Sequence, residues 1–143
     1  MGVVKAVCIS DIRGVPKHNV GEARFIENFG LEKDAHGGNW HRQVSLLSYE
    51  AIQKFLEHGY PVEDGAFGEN LIVSGFDFKN LPVGTRFICG DVVLEMTQIG
   101  KQCHKGCEIQ KITGDCIMPR EGVFARVLKG GVIRVGDKME ILE

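Results

Sequence analysis

The chain has 143 residues, 43% of them hydrophobic and 25% charged, with a formal net charge of -2 at pH 7. This is the size of one ordinary domain, able to bury a core without disulfides or a structural metal, and its near-balanced charge gives no general attraction to nucleic acid or an anionic membrane. No apolar run approaches the roughly 20 residues of a membrane-spanning helix, residues 1–10 lack a signal-peptide pattern, and Ala6 stands where a myristoylation motif starting at Gly2 requires Ser or Thr. The expected location is therefore the cytoplasm, and no domain boundary is visible between residues 1 and 143.

Nineteen glycines and only four prolines, spread along the chain, punctuate many short apolar runs. That pattern predicts a mainly β fold. Residues 3–9 read as a first strand, 43–47 as a second and 71–73 as a short third. Between the latter two, Ser48 can cap a helix that places Ile52, Phe55 and Leu56 on one side before Gly59 and Pro61 stop it. Such a helix is expected to plug one end of a barrel. Residues 86–89 and 92–98 flank Gly90-Asp91 with the spacing of a two-residue hairpin. Residues 124–128 read as another strand before the turn Lys129-Gly130-Gly131, and 131–142 as a closing hairpin or strand. A short echo, Val83-Gly84-Thr85-Arg86-Phe87-Ile88 against Val135-Gly136-Asp137-Lys138-Met139-Glu140, predicts two strands entering a barrel at similar corners.

The cysteines are five, Cys8, Cys89, Cys103, Cys107 and Cys116, an odd number without signs of secretion, so they are expected to be thiols. Cys8 and Cys89 lie in apolar strand-like runs and read as small buried hydrophobes. The other three fall in a polar stretch.

Four clusters carry chemistry-bearing side chains. In the first, Gly37-Gly38 sit beside Asp34, His36, His41 and Arg42 ahead of a strand. Such a loop can offer backbone N–H groups and a cation to an oxyanion, and the same residues suit an ordinary polar turn. In the second, Gly68-Glu69-Asn70, the two polar side chains can bind the amide edge of a heterocycle or cap the loop's own backbone. In the third, Lys101-Gln102-Cys103-His104-Lys105-Gly106-Cys107, two lysines and a histidine can stabilise the Cys103 thiolate, which is both nucleophile and soft metal ligand. In the fourth, Arg120 and Arg126 can grip a phosphate bidentately with Lys129 adding charge, or serve as surface ion pairs. A zinc site of Cys103, His104, Cys107 and Cys116 is a competing reading. Its spacing, with three and then eight residues between successive cysteines, departs from the usual two-residue knuckle.

The order Gly30-Leu31-Glu32-Lys33-Asp34-Ala35-His36-Gly37-Gly38, Arg42-Gln43, Gly68-Glu69-Asn70-Leu71, Gln102-Cys103-His104-Lys105, and Glu121-Gly122-Val123-Phe124-Ala125-Arg126-Val127 resembles the small stand-alone MOSC proteins, related to the C-terminal domain of molybdenum-cofactor sulfurases. The resemblance implies a closed β-barrel of the pyruvate-kinase barrel-like kind with one or two short helices. It also implies a site for molybdenum cofactor (molybdopterin), with Cys103 as molybdenum ligand or sulfur carrier. By the same match Asn70 resembles an asparagine near the pterin, and Arg42, Lys105 and Arg126 become candidate anion contacts; His36 and Arg120, from the first and fourth clusters, join them as candidate cofactor contacts. Implied partners are a cysteine desulfurase, a cofactor-biosynthesis protein or a molybdoenzyme. Pyridoxal phosphate, which in eukaryotic sulfurases belongs to a separate aminotransferase-like domain, is not expected to bind this chain. A molybdenum-dependent reductase of N-hydroxylated compounds, of the hydroxylaminopurine or amidoxime type, is the alternative enzyme class, although the extra barrel domain of the amidoxime-reducing relatives has no counterpart here. A carrier that hands the cofactor to a partner is the non-enzymatic one.

Overall fold

The structure, a computed structural model, describes residues 2–12, 16–35, 37–57, 63–100 and 122–142. Seven strands form a closed ring: β1 (Gly2–Ile9), β5 (Val44–Ser48), β6 (Leu71–Ser74), β7 (Arg86–Cys89), β8 (Val92–Ile99), β9 (Val123–Lys129) and β11 (Lys138–Leu142). Their order around the ring is β1-β11-β7-β8-β9-β5-β6, closed by the β6–β1 pairing. A short strand β2 (His18–Asn19) adds to the end of β1, while β3 (Glu22–Ile26), β4 (Gly30–Leu31) and β10 (Gly131–Arg134) make a second, three-stranded sheet.

Alternation along the strands fills the ring from inside. Val44 and Leu46 of β5, Leu71 and Val73 of β6, Val92, Leu94 and Met96 of β8, and Val123, Ala125 and Val127 of β9 are buried in one cluster. A seven-strand ring is narrow enough for side chains alone to occupy it. The small sheet contributes Phe25, Leu31 and Ile133 to that cluster, and the segment before and within the 3-10 turn Phe78–Asn80 contributes Phe76 and Phe78. Phe76, Phe78 and Phe87 meet with ring centroids 5.4 to 5.6 Å apart, each pair adding about 1 kcal/mol beyond its buried area.

The β7–β8 hairpin forms over its expected residues, with Gly90 at φ +60, a left-handed conformation that suits glycine in so tight a turn. The echoed turns also match. Gly84 (φ +97) and Gly136 (φ +96) precede β7 and β11, and those two strands are antiparallel neighbours in the ring. The C-terminal stretch yields two strands but no hairpin: β10 pairs with β3 of the small sheet, and β11 with β7 and β1.

The one α-helix among the described residues, α1 (Tyr49–Leu56), begins where Ser48 Oγ accepts from the Ala51 N–H at 3.4 Å. It does not plug the barrel. β5 and β6 are parallel neighbours (Leu46↔Leu71), so the chain between them must cross over a face of the sheet. The apolar lumen leaves only the outer face. Ile52 and Phe55 accordingly pack with Ala6, Cys8, Leu47, Phe67, Ile72 and Phe124, a cluster separate from the lumen. A bulge between Val4 and Ala6 of β1 turns both Lys5 and Ala6 toward this outer layer, and the Lys5 ammonium lies 5.2 Å from the centre of the Tyr49 ring. Among the described residues no helix is long and apolar enough to cross a membrane.

Candidate functional site

Two loops carrying sequence motifs and the loop after β1 are tied together by buried polar groups. Asp34 Oδ1 accepts from the Ser10 N–H (3.0 Å) and from Lys17 Nζ (2.7 Å), and both side chains of this ion pair are fully buried. The Ala35 N–H returns to Ser10 O (2.7 Å), pinning the loop that precedes β5 to the end of β1. The Lys17 N–H donates to Gly65 O (2.7 Å), which joins the loop before β6. Burial lowers the Lys17 pKa, and the neighbouring Asp34 carboxylate opposes that shift.

In that third loop the structure decides between the two readings of Glu69. Its carboxylate is fully buried and accepts from Gly65 N–H and Phe67 N–H, both at 3.0 Å, so it caps the loop's own backbone. Burial pushes its pKa up to about 7 against the pull of those N–H groups. Asn70 is also fully buried: its Oδ1 accepts from the Ser45 N–H and hydroxyl, and its Nδ2 donates to Cys8 O at 3.0 Å. Asn70 thereby joins the starts of β5 and β6 to β1. Cys8 and Cys89 are buried free thiols, as expected, and burial raises both, Cys89 to about 11.

A second constellation lies on the outer wall where β5, β8 and β9 adjoin. Ser45 pairs with Phe124 across β5 and β9, and Gln98 pairs with Phe124 from β8. The Arg42 guanidinium sits 4.8 Å from the Trp40 ring centre and 5.6 Å from that of Phe124. Arg42 Nε is buried and has no hydrogen-bond acceptor. Beside it, Gln98 Nε2 donates to Gly100 O (2.7 Å), which turns Gln98 Oε1 toward His41 Nε2 at 2.8 Å. The Thr97 hydroxyl bonds to the His41 carbonyl.

Arg126, on the same face of β9 as Phe124, is engaged differently. Its Nη2 meets Glu95 Oε1 at 2.9 Å, and Arg86 Nε meets Glu95 Oε2 at 3.0 Å. Hydrogen bonds from Arg86 and then Arg126 hold the Glu95 carboxyl below its ordinary pKa. This is the surface ion pairing that the sequence left open for Arg126.

Of the candidate contacts, Arg42, Asn70 and Arg126 are described, whereas His36, Cys103, Lys105 and Arg120 lie outside the described residues. So do His104, Cys107 and Cys116 of the zinc reading. What is described is the junction: the Gly100 N–H donates to Gly122 O (2.7 Å), joining the two ends of segment 101–121 beside Gln98 and Phe124. The structure decides between the two readings of the first cluster in favour of the polar turn. Gly37 N–H donates to Asp34 O, Gly38 N–H to Phe29 O, Gly68 N–H to Gly65 O, and Gly65 N–H to Glu69, so these glycine amides close their own turns and are not offered to an oxyanion. Two features escaped the sequence reading. Nothing marks Lys17 as buried, whereas Trp40, the chain's one tryptophan, two residues from Arg42, was a usable signal.

A profile of the MOSC domain matches residues 32–140. YflK of Bacillus subtilis, an uncharacterized protein, is 28% identical over 98 residues, covering 66% of this chain; the match spans 43% of YflK's length. Among solved structures, YuaD of Bacillus subtilis superposes with a TM-score of 0.81 at 22% identity, covering 99% of this chain and 96% of YuaD. YiiM of Geobacillus stearothermophilus gives 0.76 at 19% identity, covering all of this chain and 76% of YiiM. The structural likenesses establish a shared barrel architecture, and the profile match over most of its length shows that the chain belongs to the MOSC domain family.

Proposed function

We propose that this chain is a cytoplasmic MOSC domain that holds molybdenum cofactor or a late precursor of it, with Cys103 as thiolate ligand to molybdenum or as carrier of a transferable sulfur. The observation that carries the reading is the MOSC family match, taken with a thiol that the sequence sets between Lys101 and Lys105, cations that favour its thiolate form.

The residues present fit such a group. A molybdenum pterin offers a soft metal, which prefers sulfur donors, and an anionic phosphate. The chain matches these with the Cys103 thiol and with Arg42, whose buried Nε has no acceptor. Arg42, His36, Lys105 and Arg120 are assigned to the cofactor's polar and anionic edges. Asn70 and Glu69 act behind the site, holding the loops before β5 and β6 in place. Arg126, already paired with Glu95, adds positive potential rather than an open donor. When bound, the cofactor would supply a redox-active metal centre; the chain's own residues bind and orient it.

The test is elemental analysis of protein purified from a host that makes the cofactor, comparing wild type with Cys103→Ser and Cys116→Ser. Molybdenum lost with Cys103→Ser and retained with Cys116→Ser is the expected result. Stoichiometric zinc without molybdenum in the wild type would overturn it in favour of a zinc knuckle.

A further inference from the structure

Arg42 is an anomaly on electrostatic grounds. Among the described ion pairs, Arg86 and Arg126 share Glu95, and Arg134 meets Glu22 at 3.4 Å. Arg42 is more enclosed than these and has no carboxylate among the described residues, and its buried Nε–H has no acceptor. A desolvated donor left unmade costs about 1 to 3 kcal/mol. Contact with two aromatic rings offsets part of that, about 0.5 to 2 kcal/mol, but a ring face is no substitute for an acceptor in the guanidinium plane. The rings also leave this cation without a countercharge, and its Nε is shut off from water.

The surroundings are built on strands. Arg42 stands two residues before β5, Phe124 is fixed in β9 by pairing with Ser45 and Gln98, and the backbone between Trp40 and Arg42 is held by the Thr97 hydroxyl on the His41 carbonyl. We propose that Trp40, Arg42 and Phe124 form an oxyanion clamp on the outer wall of the barrel, with the buried Arg42 Nε–H as its unfilled donor and a phosphate or phosphomonoester as its ligand. The clamp rests on the cofactor reading only for the identity of its natural ligand. Trp40 and Phe124 set the guanidinium plane and dry one side of it, and the planar donor fork of arginine matches a phosphate edge bidentately.

Trp40, the chain's one tryptophan, reports on this site directly. Its fluorescence is titrated with inorganic phosphate, with phenyl phosphate and with chloride at equal ionic strength, in wild type, Arg42→Lys, Arg42→Met and, as a control, the exposed Arg134→Met. Wild type and Arg134→Met should saturate with either phosphate compound and not with chloride. Arg42→Lys should bind roughly tenfold more weakly, because it loses the fork and keeps the charge, and Arg42→Met should not respond. Phosphate should also raise the melting temperature of wild type and not of Arg42→Met. Tighter binding of phenyl phosphate than of phosphate would identify a phosphomonoester as the fitting ligand, and the reverse order a free phosphate ion.

A wild-type response equal to that in chloride, or a response that survives in Arg42→Met, would overturn the clamp. So would an Arg42→Met protein that, without phosphate, is markedly less stable than wild type, since the guanidinium would then serve packing. Saturable phosphate binding by a protein that never carries molybdenum would sink the cofactor reading and leave the clamp standing; molybdenum with no phosphate response would do the opposite.

Discussion

The Lys17–Asp34 pair allows a quantitative test of how the two motif loops are held to the loop after β1. Both side chains are fully buried and 2.7 Å apart, with the Ser10 N–H as a second donor to the same Asp34 oxygen. Removing one partner breaks a buried ion pair, which costs about 3 to 5 kcal/mol. Lys17→Met should fall near the lower end, because the Ser10 N–H still supports the carboxylate. Asp34→Asn should fall higher, because burial disfavours the Lys17 ammonium and the carboxylate that opposes this is lost. The double variant removes both charges, and it should cost no more than the worse single change. With a urea slope of about 2 kcal/mol per M, a loss of about 3 kcal/mol lowers the unfolding midpoint by about 1.5 M. Equilibrium urea unfolding of the four proteins, followed by circular dichroism, gives the coupling energy directly. If the two single losses add in the double variant to within about 0.5 kcal/mol, the pair is not the tie described here.

Glu69 and Ser48 give two further tests. The folded-state pKa of Glu69 is raised from 4.5 to about 7, so between those values the native state binds more protons than the unfolded chain. Its contribution to stability is therefore fully present below pH 4.5 and lost as pH rises through about 7, a swing on the order of 3 kcal/mol. Unfolding free energies of wild type and Glu69→Gln across that range should diverge accordingly, and a wild type that gains stability relative to Glu69→Gln as pH rises would reverse the sign and refute it. Ser48→Ala removes the cap of α1, a loss of about 0.5 to 1 kcal/mol given the long 3.4 Å bond. Calorimetry should show a melting temperature lower by about 2 to 3 °C, whereas Ser48→Gly should lose only a few tenths of a kcal/mol relative to wild type.

The parts of this fold legible in the sequence are those written in local chemistry. Gly90-Asp91 between two apolar runs specifies a hairpin, and Ser48 ahead of Ile52 and Phe55 specifies a capped helix, because turn and cap geometry depend on a few adjacent residues. The small sheet was illegible for the opposite reason. β3 alternates, with Ala23 and Phe25 turned inward, but the segment is short, Ala23 is small and Ile26 is exposed, so the pattern is weak to read, and its partner β10 lies far along the chain. The helix was legible but its position was not, since that follows from the parallel pairing of β5 and β6, a long-range fact. In the site, Asp34, Glu69 and Asn70 were visible as motif residues, yet their work is to bind one another's loops. Lys17 was invisible because a lone lysine in a polar stretch looks solvated until three loops close over it.

The contrast between Arg42 and Arg126 shows why residue type alone could not locate an anion site. Arg126 and Phe124 stand on one face of β9, and Arg42 lies over Phe124. What separates them is Glu95, which the β8–β9 register places directly opposite Arg126. Had the register slipped by one residue, Glu95 would face the lumen and Arg126 would stand as open as Arg42. Among the described residues the lumen is filled by apolar side chains, so recognition falls to the outer wall and the loops. There Arg42 stands in the turn before β5, over a Phe124 that strand pairing fixes. Phe124, held by strands, keeps its geometry before a ligand arrives, whereas the buried Arg42 Nε–H must be uncovered for an oxyanion to reach it, so the strength of anion binding is set by the clamp's chemistry less the cost of uncovering that donor.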